Sequence, residues 1–233
     1  MTRHELKEQL AHDHFTDAIS DIVSYTVSNR TLVIRLVVAI VILAALGGSL
    51  YWYFAHQTAA RERDLQAAFD VAETPVGPSD PNVKTFPSEQ AKIAAELKAF
   101  SAVAAKDAHT REGWIAQYEV GALKAQQGDD KGAEADLRAV VGSGSAVAPL
   151  ARIALASLYA GENRIAEARV LLENLVNHPS ALVSKAQAQI LLAQLEMKAN
   201  PQQAKRILQS LKTPNERPAV ARAVSQLESQ SNQ

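Results

Sequence analysis

Four residues near the N-terminus have side chains that could bind a metal ion: His12, Asp13, His14 and Asp17. Imidazole and carboxylate groups are common metal ligands. The surrounding segment has the period of a helix, and residues i and i+2 of a helix point to different faces. His12 and His14 are therefore badly placed to ligate one ion, and the pattern predicts a solvated polar stretch without a metal site.

The other reactive residues form no pattern typical of an enzyme. Gly142 to Ser145 reads Gly-Ser-Gly-Ser, but no strand precedes it as a nucleophile elbow requires. The chain has no cysteine, no phosphate-binding loop, no dinucleotide-binding glycine motif and no H-E-x-x-H zinc motif. Several histidines and aspartates are interpreted as isolated residues or surface charges: His56, His109, His178, Asp129, Asp130 and Asp136. We expect a non-enzymatic protein with no catalytic, cofactor-binding or metal-binding residues.

The composition indicates a helical protein. Among 233 residues there are 42 alanines, and alanine is the best helix former. Glycine and proline are few, at 10 and 9 residues. The 24 Lys and Arg residues nearly balance the 25 Asp and Glu residues, so the chain has no positive excess to meet nucleic-acid phosphates. We predict an all-α fold and no nucleic-acid partner.

One run of twenty uncharged residues, from Leu36 to Ala55, is long enough to cross a bilayer as a helix. Its borders carry cationic or amphipathic side chains that suit a membrane–water interface: Arg35, Tyr51, Trp52 and Tyr53. A buried core helix and a cleaved signal peptide are the alternatives. The run exceeds the usual core of a signal peptide, and 35 residues precede it. We expect an uncleaved single-pass transmembrane helix at residues 31–55.

The flanking charges favour one orientation of this helix. Two arginines lie near the run on each side, whereas Arg3 and Lys7 further upstream favour a cytoplasmic N-terminus. Residues 1–30 are interpreted as a short amphipathic segment on the cytoplasmic side, which either lies on the inner membrane face or extends the membrane helix. Ala44 and Gly48 form a small-xxx-small pattern that would let a second helix approach, which leaves a homo-oligomer open.

After the membrane run the chain repeats a two-helix pattern, with turns near Gly128, Gly161 and Asn200. A small or apolar residue stands twelve positions before an alanine in each unit: Gly121 and Ala133, Ala154 and Ala166, Leu192 and Ala204. A two-helix unit of about 34 residues predicts a tetratricopeptide-like (TPR-like) helical-repeat solenoid. An unrelated helical bundle with coincidental spacing is the alternative. The expected domain covers 56–233, with a divergent first unit at 59–106, repeats at 111–144, 146–179 and 182–213, and a capping helix at 218–230.

A solenoid of this kind offers a concave face lined by the first helix of each unit. The repeat alignment predicts a partner-binding face of six residues: Tyr118, Gln126, Leu155, Tyr159, Gln189 and Met197. Tyrosine and methionine suit adaptable contact with a protein segment. Trp114 fits core packing and a binding hot spot equally well, because an indole buries favourably in both places.

The order of these features carries a resemblance. A charged N-terminal segment leads to a membrane helix ending in Tyr51-Trp52-Tyr53, then to His56-Gln57, an alanine-rich helix and degenerate repeats around Gly128-Asp129 and Gly161-Glu162. This order resembles the YfgM-like family of ancillary subunits of the bacterial SecYEG translocon. The resemblance implies a periplasmic TPR-like domain on a single-pass inner-membrane helix, with no catalytic residues and no cofactor.

The resemblance also implies the partners. They would be translocon subunits, a periplasmic chaperone such as a PpiD-like protein, or exported chains, with membrane lipid bound through the one helix. We therefore expect a membrane-anchored protein–protein interaction module that assists Sec-linked export or periplasmic chaperoning. The alternative is a membrane-tethered TPR scaffold that coordinates cell-envelope assembly or cell division.

Overall fold

The computed structural model of the chain describes residues 30–78, 84–212 and 218–231. These ranges contain nine α-helices and no β-strand, so the predicted helical class is confirmed. The helices are α1 Arg30–Glu73, α2 Glu89–Lys106, α3 Arg111–Gln126, α4 Asp130–Gly142, α5 Ala148–Gly161, α6 Ile165–Asn177, α7 Lys185–Ala199, α8 Pro201–Leu211 and α9 Pro218–Ser231. The predicted amphipathic segment 1–30 lies, apart from Arg30, outside the described residues, and so do the histidines and aspartates at positions 12–17.

The chain divides into two compact units, Met1–Ala59 and Ala60–Gln233. The described part of the first unit belongs to α1, whose most apolar stretch has a mean hydropathy of 2.5 and is 0% buried. Large apolar side chains such as Ile40 and Leu43 are 64% and 68% exposed. A buried core helix, the alternative considered for this run, would be covered by other parts of the protein. The exposure of the apolar stretch of α1 does not fit that alternative. One helix is therefore apolar and long enough to cross a membrane.

The second unit begins with the C-terminal part of α1 packed against α2. The rings of Phe69 and Phe100 meet edge to face, with centroids 5.1 Å apart. Such aromatic contacts add to the stabilisation that burial alone provides. Further along the two helices, the guanidinium of Arg61 lies 3.6 Å from the carboxylate of Asp107.

The proline-rich segment between α1 and α2 brings its two ends together. Val76 and Phe86 form an isolated parallel bridge, and the amide of Gly77 donates to the carbonyl of Phe86 at 3.0 Å. Ser88 then ends the loop as the N-cap of α2, where its hydroxyl accepts a hydrogen bond from the amide of Ala91. Serine at this position satisfies a backbone donor that the first helical turn leaves free.

Helices α3 to α8 form three successive hairpins, in which each helix packs against the next one in the chain. The first two hairpins share one turn geometry. Gly128 and Asn163, 35 residues apart, both have positive φ, at 79° and 61°. In the first turn the amide of Asp129 donates to the carbonyl of Lys124, and the same bond recurs 35 residues later. Glycine and asparagine are the residues that adopt this left-handed conformation most readily.

The second helix of each hairpin buries the same three positions, spaced i, i+4 and i+7 along one face. They are Ala133, Leu137 and Val140 in α4; Ala168, Leu172 and Leu175 in α6; and Ala204, Leu208 and Leu211 in α8. The step is 35 residues and then 36. Our choice of Ala166 as the close-packed alanine of the second hairpin is wrong, because Ala166 is exposed and Ala168 is fully buried.

A small residue on each first helix allows close approach of the two helices. A Cβ atom added to Gly121 would lie 2.9 Å from the side chain of Leu137, so this position admits little more than hydrogen. Ala156 of α5 is 2% exposed and Ala193 of α7 is fully buried. The small residue of the second hairpin is therefore Ala156, two positions after the predicted Ala154, the same shift as for the partner alanine. In the third hairpin it is Ala193, one position after the predicted Leu192 and eleven positions before Ala204.

The connections between hairpins differ in length. Residues 143–147 join α4 to α5, whereas the longer segment 178–184 joins α6 to α7. At the C-terminal end, α9 occupies the range for which a capping helix was predicted and packs on both α7 and α8. Its buried side chains are Val224 and Leu227, which join Ala193 and Leu208 in one apolar cluster.

Candidate functional site

A cavity of about 230 Å³ lies between α5 and α7, with α6 behind it; we call it the α5–α7 cavity. Its walls are apolar side chains that are partly or fully buried: Ile153, Leu172, Leu191 and Leu195. Its opening carries three exposed polar side chains: Ser157, Gln194 and Lys198. An apolar interior with a polar rim is the usual composition of a site that binds an apolar group from another molecule.

The cavity lies at the junction of hairpins that has the longer connection, between α6 and α7. Three buried alanines hold equivalent places on the first helices: Ala116, Ala151 and Ala188. The step between them is 35 residues from α3 to α5 but 37 residues from α5 to α7. Helix α7 packs on α6, and the cavity lies between α7 and α5. By contrast, α9 packs directly on α7.

The structure divides the six residues predicted for the partner-binding face. Leu155 and Tyr159 are 2% and 3% exposed, so they belong to the core, and their assignment to an open face is wrong. The cause is the two-residue error in the second unit. With Ala156 in place of Ala154 as the small residue, the two positions move to Ser157 and Gly161, which are exposed, and Ser157 lines the cavity.

The other four predicted residues are accessible to different degrees. Gln126 is exposed, whereas Tyr118, Gln189 and Met197 are half-buried. None of the four lines the α5–α7 cavity. Met197 packs against the apolar cluster under α9, and Tyr118 packs against the main core together with Trp114. Their role in binding stays a prediction, while the partly buried position of Trp114 favours core packing.

The predicted membrane-interface residues lie along α1. Tyr51, Trp52 and Tyr53 are 77%, 68% and 56% exposed, and Arg35 is also exposed. The indole of Trp52 stacks on the imidazole of His56, with centroids 5.4 Å apart. Their place at a membrane–water interface stays a prediction.

A polar network that the sequence did not reveal surrounds Tyr159. Its hydroxyl donates to the Glu134 carboxylate at 2.8 Å and accepts from Arg138 Nε at 2.8 Å. The Arg164 guanidinium lies over the same ring at 3.9 Å from its centroid and also binds Glu134. Hydrogen bonds from Arg164 and from Tyr159 lower the pKa of Glu134 to about 2. Burial raises the pKa of Tyr159, so the phenol stays neutral and can donate.

A second polar contact joins α6 to α7. Arg169 binds Glu196 through both guanidinium nitrogens that face it, with Nη2 at 3.1 Å from Oε2. Glu196 is 1% exposed, whereas the Arg169 side chain is 37% exposed. A carboxylate removed from water in this way requires a paired cation, and Arg169 supplies one in bidentate geometry.

Two carboxylates near the start of the second unit, Glu96 and Glu119, have raised pKa values, whereas the pKa of Glu134 is lowered. Burial raises the pKa of Glu96, and the nearby Lys92, at 3.8 Å, lowers it by a smaller amount. Burial also raises the pKa of Glu119, and the charge of Glu96 raises it further. Glu96 stands 37 residues before Ala133, so a glutamate occupies the place where the later hairpins bury an alanine.

Asp136 is not the surface charge that we predicted. Its carboxylate accepts from the Gln117 amide at 2.6 Å and from the Lys124 ammonium at 2.7 Å, so it joins the two helices of the first hairpin. Asp129 instead caps α4 by accepting from the amide of Gly132. Within the described ranges, no group of three or more His, Asp or Glu residues is arranged to hold a metal ion.

Among the described residues, the candidate functional site is thus the α5–α7 cavity, whose apolar interior suits a side chain of another polypeptide. No family model matches this chain, and no curated protein or solved structure is found to be similar to it.

Proposed function

We propose that the chain is a membrane-tethered protein–protein interaction module without an enzymatic activity of its own. The observation that carries the proposal is the α5–α7 cavity, which is apolar inside, polar at its opening and accessible from solvent. Binding energy at protein interfaces concentrates where a large side chain fills such a pocket. The partly buried walls and exposed rim match that arrangement.

We also propose that the hairpins form a TPR-like array. Support comes from the recurring burial at steps of 35 to 37 residues and from the pairing of a small residue with an alanine twelve positions later. That pairing is Gly121 with Ala133 in the first hairpin and Ala156 with Ala168 in the second. Stacked hairpins bury a continuous core, and the last one needs a covering helix, which α9 would supply.

The proposed location is the bacterial inner membrane. In this proposal α1 is an uncleaved single-pass anchor, the N-terminus is cytoplasmic and the second unit is periplasmic. The uncovered apolar stretch of α1 supports an anchor, and the cations upstream of it support the orientation. The order of features along the chain supports a role in Sec-translocon-linked export or periplasmic chaperoning.

The experiment is site-specific photo-crosslinking in cells, with the full chain and a photoreactive residue at Ser157 on the cavity rim. We expect adducts with translocon subunits, a periplasmic chaperone or exported chains. A photoreactive residue at the exposed Lys131, on the second helix of the first hairpin, is the matched control and should give fewer adducts. Adducts with envelope synthases instead would replace this role by that of a scaffold for envelope assembly or division. Absence of any adduct would contradict the proposed function as an interaction module.

Topology is tested separately. An alkaline phosphatase fused to the C-terminus is active only in the periplasm, and we expect activity. An inactive fusion, with an active cytoplasmic reporter at the same position, would contradict the periplasmic location.

A further inference from the structure

The volume of the α5–α7 cavity limits what it can receive. At about 230 Å³ it is smaller than the roughly 300–1,000 Å³ typical of pockets for small-molecule ligands and cofactors. A space of this size accommodates one large side chain. Protein interfaces commonly place one such anchor residue in a pocket near the centre of the contact.

The lining determines the chemistry of that side chain. Its walls come from three helices and present aliphatic groups, including Ile153, Leu191 and Leu195. A charged or strongly polar anchor would lose its hydration there without a compensating partner. An aliphatic or aromatic anchor instead removes apolar surface from water on both sides.

Lys198 distinguishes one edge of the opening from the rest. It is the charged residue in the cavity lining, it is exposed, and it forms no ion pair with any described residue. Among the described lysines of the second unit, Lys92, Lys106, Lys124 and Lys212 form ion pairs. Lys198 is one of several that do not, and it is the lysine that lies at the cavity opening. An available ammonium beside an apolar cavity is complementary to a carboxylate that flanks the anchor.

We propose that the α5–α7 cavity receives one large apolar side chain of a partner polypeptide, and that Lys198 pairs with an acidic residue beside that anchor. Ser157 and Gln194 then hydrogen-bond to the backbone of the same segment. This inference rests on the proposed interaction function and specifies the chemistry of the partner.

The test uses the full chain in detergent micelles and labelled alanine–glutamine peptides that carry photo-leucine as the anchor. One peptide has a glutamate beside the photo-leucine, and the matched peptide has a lysine there. Illumination and mass spectrometry locate and quantify the adducts. We expect the glutamate peptide to label the cavity walls and to give a higher yield than the lysine peptide.

Two variants block the cavity. Ala160→Phe fills it from its lining, and Ser157→Phe fills it from the exposed rim; each should lower the adduct yield about tenfold, as loss of a hot-spot contact does. Ala125→Phe is the matched control, because Ala125 stands 35 residues before Ala160 on α3, is also half-buried, and lies outside the cavity. Thermal unfolding followed by circular dichroism verifies that each variant folds.

One variant tests the charge. Lys198→Glu should lower the yield of the glutamate peptide about threefold and raise that of the lysine peptide, the size expected for an exposed ion pair. Lys185→Glu, at the exposed start of the same helix, should change neither yield.

The outcomes separate this inference from the function on which it rests. Adduct yields that Ala160→Phe and Ser157→Phe leave unchanged, adducts located away from the cavity, or no adducts would overturn the inference. If partners in cells still crosslink to the Ala160→Phe variant, the cavity is not the anchor site and the interaction function stands. If the wild-type chain has no partners in cells, the function itself fails.

Discussion

Two junctions between successive hairpins use equivalent positions with opposite charge. At the α4/α5 junction, Glu134 meets the hydroxyl of Tyr159, and at the α6/α7 junction, Arg169 meets Glu196. Arg169 stands 35 residues after Glu134, and Glu196 stands 37 residues after Tyr159, the steps that also relate the buried alanines of these helices. The second helix of a hairpin contributes an acidic residue, Glu134, at the first junction and a basic residue, Arg169, at the second. Exchanging the hairpins would place Glu134 against Glu196, so the charges favour one order of stacking.

The junctions differ in how the charges are held. The side chain of Glu134 is 20% exposed. Its carboxylate accepts a hydrogen bond from Tyr159 and forms ion pairs with Arg138 and Arg164. Glu196 is almost fully buried and depends on Arg169. Loss of one partner from the first junction leaves others and water, whereas loss from the second leaves a buried charge without compensation. The carboxylate at the first junction is therefore stabilised by several partners, whereas the carboxylate at the second is stabilised by a single ion pair.

The largest expected effect is at the single pair. Arg169→Leu should lower the free energy of unfolding by about 3 kcal/mol, because Glu196 stays buried without its cation. Chemical denaturation of the full chain in micelles measures this. The double variant Arg169→Leu with Glu196→Leu should recover most of the loss, since replacing both charges by apolar groups removes the desolvation cost. A double variant as unstable as the single one would show that Glu196 contributes through packing instead of charge.

At the first junction, Tyr159→Phe should cost less, about 1 kcal/mol. The ring stays in place under Arg164, and Glu134 keeps its two arginine partners. The measurement is again chemical denaturation. Tyr118→Phe is the matched control, because Tyr118 is half-buried on α3 and makes no side-chain hydrogen bond to a described residue. A loss at Tyr159 equal to that of Arg169→Leu would end the distinction between the two junctions.

The sequence predicted the helices better than the contacts between them. Helix formation is local, because alanine content favours it and prolines and glycines interrupt it. The register of the second hairpin was wrong because alanine is so frequent that a spacing of twelve occurs twice: at Ala154 and Ala166, and at Ala156 and Ala168. Only burial separates the two, since Ala166 is exposed. Correcting that register by two residues moves the predicted open position of α5 from Leu155, which is buried, to Ser157, which is exposed.

The polar junctions gave no local signal. Glu134 and Tyr159 are 25 residues apart, and Arg169 and Glu196 are 27 residues apart, so neither pair follows a helical i, i+4 rule. Charged residues on an amphipathic helix usually face solvent, and the sequence gives no reason to treat these as exceptions. The α5–α7 cavity was equally hidden, because its lining comes from three helices that only the packing of the hairpins brings together.

The pH dependence of stability distinguishes the carboxylates further. Because the folded pKa of Glu134 is lowered to about 2, its stabilising contribution is fully present above its ordinary value of 4.5 and is lost as the pH falls toward 2. The stability difference between wild type and Glu134→Gln should therefore be greatest at neutral pH and disappear near pH 2. Denaturation across a pH series measures it. A difference independent of pH would mean that the carboxylate charge does not contribute.

The smallest expected effect has the opposite sign and comes from the α2/α3 contact. On α2 the position equivalent to Glu134 is Leu97, 37 residues earlier in the chain. The carboxylate of this contact belongs instead to the preceding residue, Glu96, and burial raises its pKa. A raised folded pKa means that the contribution of Glu96 to stability is lost as the pH rises through that value. Glu96→Gln should therefore be slightly more stable than wild type at neutral pH, and the gain should vanish in acid. Glu62→Gln, at an exposed position of α1, is the control and should show no such gain. A loss of stability at neutral pH would show that the ion pair with Lys92 outweighs the cost of burial, which would make this front contact resemble the Arg169–Glu196 junction.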